Sequence, residues 1–176
     1  MNFAERTRAE RALELRAADE GSDGVRWPSV ARRIAEARSR AGLSEREVAQ
    51  RLDVTIDSYW DLEHHDDEAF TAISLARLTA LGGVLGVEPR ELLLGPDAKR
   101  IDRTITFSRI AARLAEQIRH GRGTAKQLSD RIGWDIEAVL IDPQALQEFN
   151  VEALYTICTA LGLDWVAALP SRPATL

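Results

Sequence analysis

The 176-residue chain contains a single cysteine, Cys158, which excludes an internal disulfide framework. No apolar run approaches the roughly 20 residues that a membrane span requires, so no membrane partner is expected. The opening Met-Asn-Phe-Ala-Glu-Arg lacks the apolar segment of a secretory signal, and the expected location is cytoplasmic. Positive charge is in deficit: 23 Lys and Arg face 28 Asp and Glu, a net of −5, so any attraction to nucleic acid must come from a local patch. Catalytic constellations are missing as well. There is no Ser-His-Asp or paired-carboxylate pattern, and Gly82-Gly83 sits within a helical run rather than after a strand, which is not a phosphate loop. The expectation is a non-enzymatic protein without cofactor. What remains, 45% hydrophobic and 29% charged residues, is an ordinary soluble composition with room for one or two small domains.

The most informative stretch runs from Leu43 to Glu63. Ser44 with Glu47 forms a capping box, in which the hydroxyl accepts an orphan backbone N–H and the glutamate reaches back to the cap. A helix therefore starts at Ser44 and carries Val48, Ala49 and Leu52 on one face. Asp53-Val54 turns the chain, and Thr55 caps a second helix with apolar positions Ile56, Tyr59 and Leu62. Two short helices joined by a tight turn have helix-turn-helix geometry.

Upstream, residues 1–25 are an N-terminal extension, a helix by propensity with a thin apolar stripe, followed by a Gly-rich loop. It is either a solvated leader or an arm that docks on a partner. Trp27-Pro28-Ser29 enters a helix carrying Val30, Ile34 and Ala37. Downstream, Ser74 caps a helix with Leu75, Leu78, Leu81 and Leu85, Gly86 ends it, and Pro89 opens a fifth helix. After a polar linker at 96–105 the pattern recurs. An offset of 80 places Ser44 and Glu47 on Thr124 and Gln127, and Val48 and Leu52 on Leu128 and Ile132. An offset of 76 places Ser74-Leu75 and Leu85-Gly86-Val87 on Asn150-Val151 and Leu161-Gly162-Leu163. Pro143 takes the place of Glu63 and must stop the corresponding helix early.

The stretch 30–94 resembles the Xre family, the five-helix fold of the lambda repressor and Cro. The matching residues are Arg38, Gly42-Leu43-Ser44, Val48-Ala49, Val54, Glu63 and Leu85-Gly86-Val87. The resemblance implies an all-α fold with tandem lambda-repressor-like helix-turn-helix domains at 26–95 and 106–170, the second (107–169 in the match) degenerate, and a tail at 171–176. It also implies that Arg38 and Glu63 pair across the core in a structural role. Oligomeric state is left open, with a homodimer among the options.

Where the family binds DNA, the start of its second helix and the exposed face of its third carry polar and basic readers. Here those positions hold Glu45, Ile56, Asp57, Ser58, Trp60 and Asp61. Over residues 44–70, nine acidic side chains face only Arg46 and Arg51, a sign that repels a duplex. Two functions remain open. One is a protein-binding derivative of antitoxin or toxin-immunity type, whose surface of Asp57, Ser58, Trp60, Asp61, His64, His65, Asp66, Asp67 and Glu68 meets a basic partner, a toxin among the candidates. The other is a transcriptional regulator on operator DNA, using Arg119, Arg122, Thr124, Lys126 and Ser58 within a stretch, 99–131, of nine bases against three acids. His64 to Glu68 contains metal-ligand residue types, but neighbours in sequence rarely aim at one ion, and no metal is expected. Cys158, Trp134 and Trp165 read as core; Trp60 reads as exposed.

Overall fold

The computed structural model describes residues 29–96, 98, 104–121 and 123–172. The N-terminal extension, Trp27-Pro28, Arg122, most of the linker and the end of the tail lie outside the described residues. Among the described residues the chain is mostly helical and contains no strand.

Among the described residues six helices precede the linker: α1 (Val30–Arg40), α2 (Glu45–Leu52), α3 (Ile56–His64), α4 (Glu68–Thr71), α5 (Leu75–Leu85) and α6 (Pro89–Leu94). Beyond it come α7 (Phe107–Arg119), α8 (Ala125–Ile132), α9 (Ile136–Ile141), a 3-10 turn (Pro143–Glu148), α10 (Val151–Leu161) and α11 (Trp165–Ala168). Their boundaries follow local chemistry. At α2 both arms of the capping box are made, Glu47 N–H donating to Ser44 Oγ at 3.3 Å and Ser44 N–H to Glu47 Oε2 at 2.8 Å. At α8 the same pair recurs between Thr124 and Gln127, at 3.1 and 2.9 Å. Helices α5 and α10 end at Gly86 and Gly162, whose φ of 70° and 64° is a left-handed conformation that side chains resist. Asp53 reaches the same region at φ 53° and turns the chain between α2 and α3.

One hydrophobic cluster runs through both halves, from Ile34, Val48 and Tyr59 to Leu75, Leu146, Leu154 and Ile157. Ile105, at the end of the linker, packs against it and donates its N–H to Ala167 O at 2.7 Å. Arg33 is buried too, its guanidinium donating to Leu92 O at 2.8 Å and to Leu93 O, which caps the carbonyl end of α6.

The halves meet reciprocally. Helix α4 packs on α10, and the 3-10 turn packs on α5; under the 76-residue offset each contact is the image of the other. At the centre Ser74 and Asn150, equivalent residues, form an isolated antiparallel bridge. Leu75 N–H donates to Phe149 O at 2.7 Å, and Asn150 Nδ2 donates to Thr71 O at 2.8 Å. Each such bond contributes about 0.5–1.5 kcal/mol net, whereas burying Ile73, Leu75, Leu146, Phe149 and Val151 contributes about 1.5–3 kcal/mol per side chain. Apolar burial dominates the junction, and the bonds set its register.

Candidate functional site

The outer face of α3 is held from beneath by a buried polar network. Glu63 accepts from Arg38 Nε at 2.6 Å and Arg38 Nη2 at 2.8 Å, and Tyr59 donates its hydroxyl to the same carboxylate at 2.5 Å. Arg38 Nη1 also donates to Leu43 O at 3.1 Å, tying α1 to the start of α2. The pair is therefore a bidentate clamp that fixes α3 against α1. The bond to Glu63 raises the Arg38 pKa above its ordinary range, and burial, then the Glu63 bond, pushes the Tyr59 phenol well above its own. With Tyr59, Leu62 and Glu63 turned inward, Ile56, Asp57, Ser58, Trp60 and His64 are left exposed.

On that outer face Trp60 is 43% exposed. Its indole stacks on the His64 ring with centroids 3.7 Å apart and planes 13° from parallel, and His65 meets it edge-on at 5.9 Å. His64 Nδ1 lies 2.8 Å from Trp60 O; a carbonyl only accepts, so this nitrogen carries the proton. Asp57 is exposed beside Trp60, and Asp61 is half-buried. Ser58 is committed locally: its amide donates to Thr55 Oγ1 at 3.1 Å and the two hydroxyls are 2.8 Å apart, so it serves the N-cap of α3.

Three residues sit differently from the sequence expectation. Ile56, which the sequence reading grouped with Tyr59 and Leu62 as an apolar position and also placed on the outward reading face, is 43% exposed, because it shares the i, i+4 face of Trp60 rather than that of Tyr59. Asp66 turns to α1 and accepts Ala31 N–H at 3.0 Å, neutralising an orphan donor at that helix start. Glu68 opens α4 and lines a cleft of about 140 Å³ behind α3 together with Ser58, Asp61 and Arg77. The acidic run is thus not one loop: His64, His65 and Asp67 are exposed while Asp66 and Glu68 are partly withdrawn. With His64 Nδ1 and Asp66 Oδ1 engaged on different helices, the run does not converge on one point, and no metal-holding cluster occurs among the described residues.

Of the residues proposed for DNA, Arg119 ends α7 and is exposed, Thr124 is consumed as the cap of α8, and Lys126 is exposed. Lys126 shares an open cleft with Asp130, Asp135 and Glu137. Cys158 is fully buried; burial first, then Asp164, pushes its thiol up to about 12. Trp134 stacks on Phe149 at 4.7 Å and Trp165 packs edge-on to Tyr155 at 6.0 Å. Sequence reading missed Ile141, which is 86% exposed at the end of α9; its place beside Asp142-Pro143, where the helix must stop, was the available signal. Comparison with family models, curated proteins and solved structures found no match for this chain.

Proposed function

We propose that the chain is a non-enzymatic protein built from two lambda-repressor-like helix-turn-helix domains, at 26–95 and 106–170, the second degenerate, and that α3 of the first binds a basic protein partner in the manner of an antitoxin or toxin-immunity protein. The observation that carries this reading is the exposed Trp60, pre-ordered by its stack on His64 on a helix that also carries Asp57 and Asp61. A rigid aromatic loses little freedom on burial and is the commonest kind of interface anchor, while surrounding carboxylates steer a cationic partner and reject anionic ones. The same carboxylates oppose a phosphate backbone. The competing regulator reading draws support from the exposed Arg119 and Lys126 at the approach to α8.

The deciding experiment titrates the full chain against the products of its neighbouring genes and, in parallel, against duplex DNA from upstream of its own gene. The expected result is a complex with a basic protein, weakened by about 2 kcal/mol in Trp60→Ala with no loss of folding, and slower association with a flatter salt dependence in Asp57→Lys/Asp61→Lys. Sequence-dependent duplex binding that ignores Trp60 and is lost on changing Arg119 and Lys126 would hand the function to the regulator reading.

A further inference from the structure

A cleft of about 450 Å³ opens where the two halves meet. Ser74 and Arg77, at the start of α5, line it from the first half, and Trp134, Glu148 and Asn150 line it from the second, so neither half forms it alone. Small-molecule sites typically have volumes of about 300–1,000 Å³ and favour such junctions. This cleft falls within that range.

Most of the polar side chains around it are donors with a hydrogen to spare. Asn150 is only 9% exposed, and its amide carries two hydrogens, of which the bond to Thr71 O at 2.8 Å uses one. The other has no acceptor among the described residues. The Trp134 indole is held by its stack on Phe149 at 4.7 Å, and its N–H donates to no described residue. The Arg77 guanidinium is exposed and pairs with no described carboxylate; only its backbone N–H is engaged, by Ser74 Oγ at 3.3 Å. Accepting that bond leaves the Ser74 hydroxyl its own hydrogen to donate. A buried donor without an acceptor is costly, and a ligand that supplies the acceptor removes the cost.

Glu148 has the opposite character. It is an exposed carboxylate, able only to accept, and among the described residues it makes no ion pair, with Arg77 or with any other cation. The cleft therefore holds one uncompensated charge of each sign, the cation on the first half among the donors and the anion on the second. A carboxylate complements the former and an ammonium the latter. A dicarboxylate would meet Glu148 with like charge, and a diamine would meet Arg77 in the same way.

We propose that the junction cleft binds a free α-amino acid, its carboxylate accepting from Arg77 and Asn150 and its ammonium donating to Glu148, with the Trp134 indole beside it. Such a ligand ties the two halves together, because its two charged ends are held by different halves. The site excludes α3 and Trp60, so this inference is independent of the protein-binding reading.

The test titrates the full chain, isotopically labelled for NMR, with each of the standard free L-amino acids at millimolar concentration, following the tryptophan indole N–H signals. The expected result is that at least one amino acid shifts the Trp134 signal and leaves that of Trp60 in place, and that its N-acetyl and carboxamide forms, which lack one charge each, do not. Arg77→Gln and Glu148→Gln each raise the Kd of that amino acid about tenfold or more, the scale of a charge-assisted hydrogen bond. Both side chains are exposed, so the variants keep their fold. The proposal is overturned if no amino acid moves Trp134, if the N-acetyl or carboxamide form binds as well as the parent, or if either variant leaves the Kd unchanged.

Discussion

Replacing Arg38 with alanine strands a carboxylate. Only 3% of the Glu63 side chain is exposed, and in the variant its two bonds from the guanidinium, at 2.6 and 2.8 Å, disappear together while the Tyr59 hydroxyl alone remains. An exposed ion pair is worth at most about 1 kcal/mol, but leaving one member of a buried pair behind costs about 3–5 kcal/mol. Arg38 is itself 18% exposed, so the buried figure applies to Glu63 more than to the arginine. For a chain of this size each kcal/mol moves Tm by about 2–4 °C, which puts the expected fall for Arg38→Ala at about 6–20 °C. Replacing both residues, Arg38→Met with Glu63→Met, removes the charges together and should cost less than the sum of the single changes, since only two neutral groups, the Tyr59 hydroxyl and the Leu43 carbonyl, then lose a partner. Thermal and urea unfolding followed by circular dichroism, arranged as a double-mutant cycle, measures this. If Arg38→Ala loses under about 1 kcal/mol, or the double variant costs as much as the two singles added, the network does not clamp α3 and the reasoning is wrong.

Two further predictions concern the core. In Gly82→Ala the new Cβ would stand 2.6 Å from Val87 O and 3.1 Å from Pro89 Cδ, so the gain of about 1 kcal/mol in helix propensity is outweighed by overpacking and the net loss is about 1–2 kcal/mol; a variant more stable than the parent in urea refutes it. With its thiol at about 12, Cys158 is ionised to about one part in a thousand at pH 9, so iodoacetamide should label it only as fast as the chain unfolds, and mass spectrometry showing labelling at the denatured-state rate would contradict its burial.

The parts of this fold legible in the sequence are those governed by neighbours a few positions apart. The boxes at Ser44–Glu47 and Thr124–Gln127, the stops at Gly86 and Gly162 and the inward face of Tyr59 and Leu62 all follow from local rules. The Arg38–Glu63 contact spans 25 residues and was readable only through resemblance. Asp66 escaped because its partner, Ala31 N–H, lies 35 residues away, and an acidic run in sequence carries no sign of which carboxylate faces a helix start. Ile56 illustrates the limit of periodicity, which does not say which of two adjacent stripes is inward when a helix has only nine residues. The repeat identified Ser74 and Asn150 as equivalent but was silent on their touching, because likeness between segments does not encode contact between them.

That contact has a consequence for synthesis. The Thr71 carbonyl and the Asn150 side chain that covers it are 79 residues apart in the chain, so at 5–20 residues per second about 4–16 s pass between the emergence of one and of the other. Throughout that interval Ile73 and Leu75, buried in the finished molecule, have no second half to cover them. The nascent chain thus carries a sticky face matched in shape to a segment not yet made, and on a crowded polysome the nearest copy of that segment belongs to another chain. Exchange of halves between neighbouring molecules is the characteristic misassembly this architecture invites, and the short connection between Gly95 and Thr104 opposes it by keeping the correct half the closest one available.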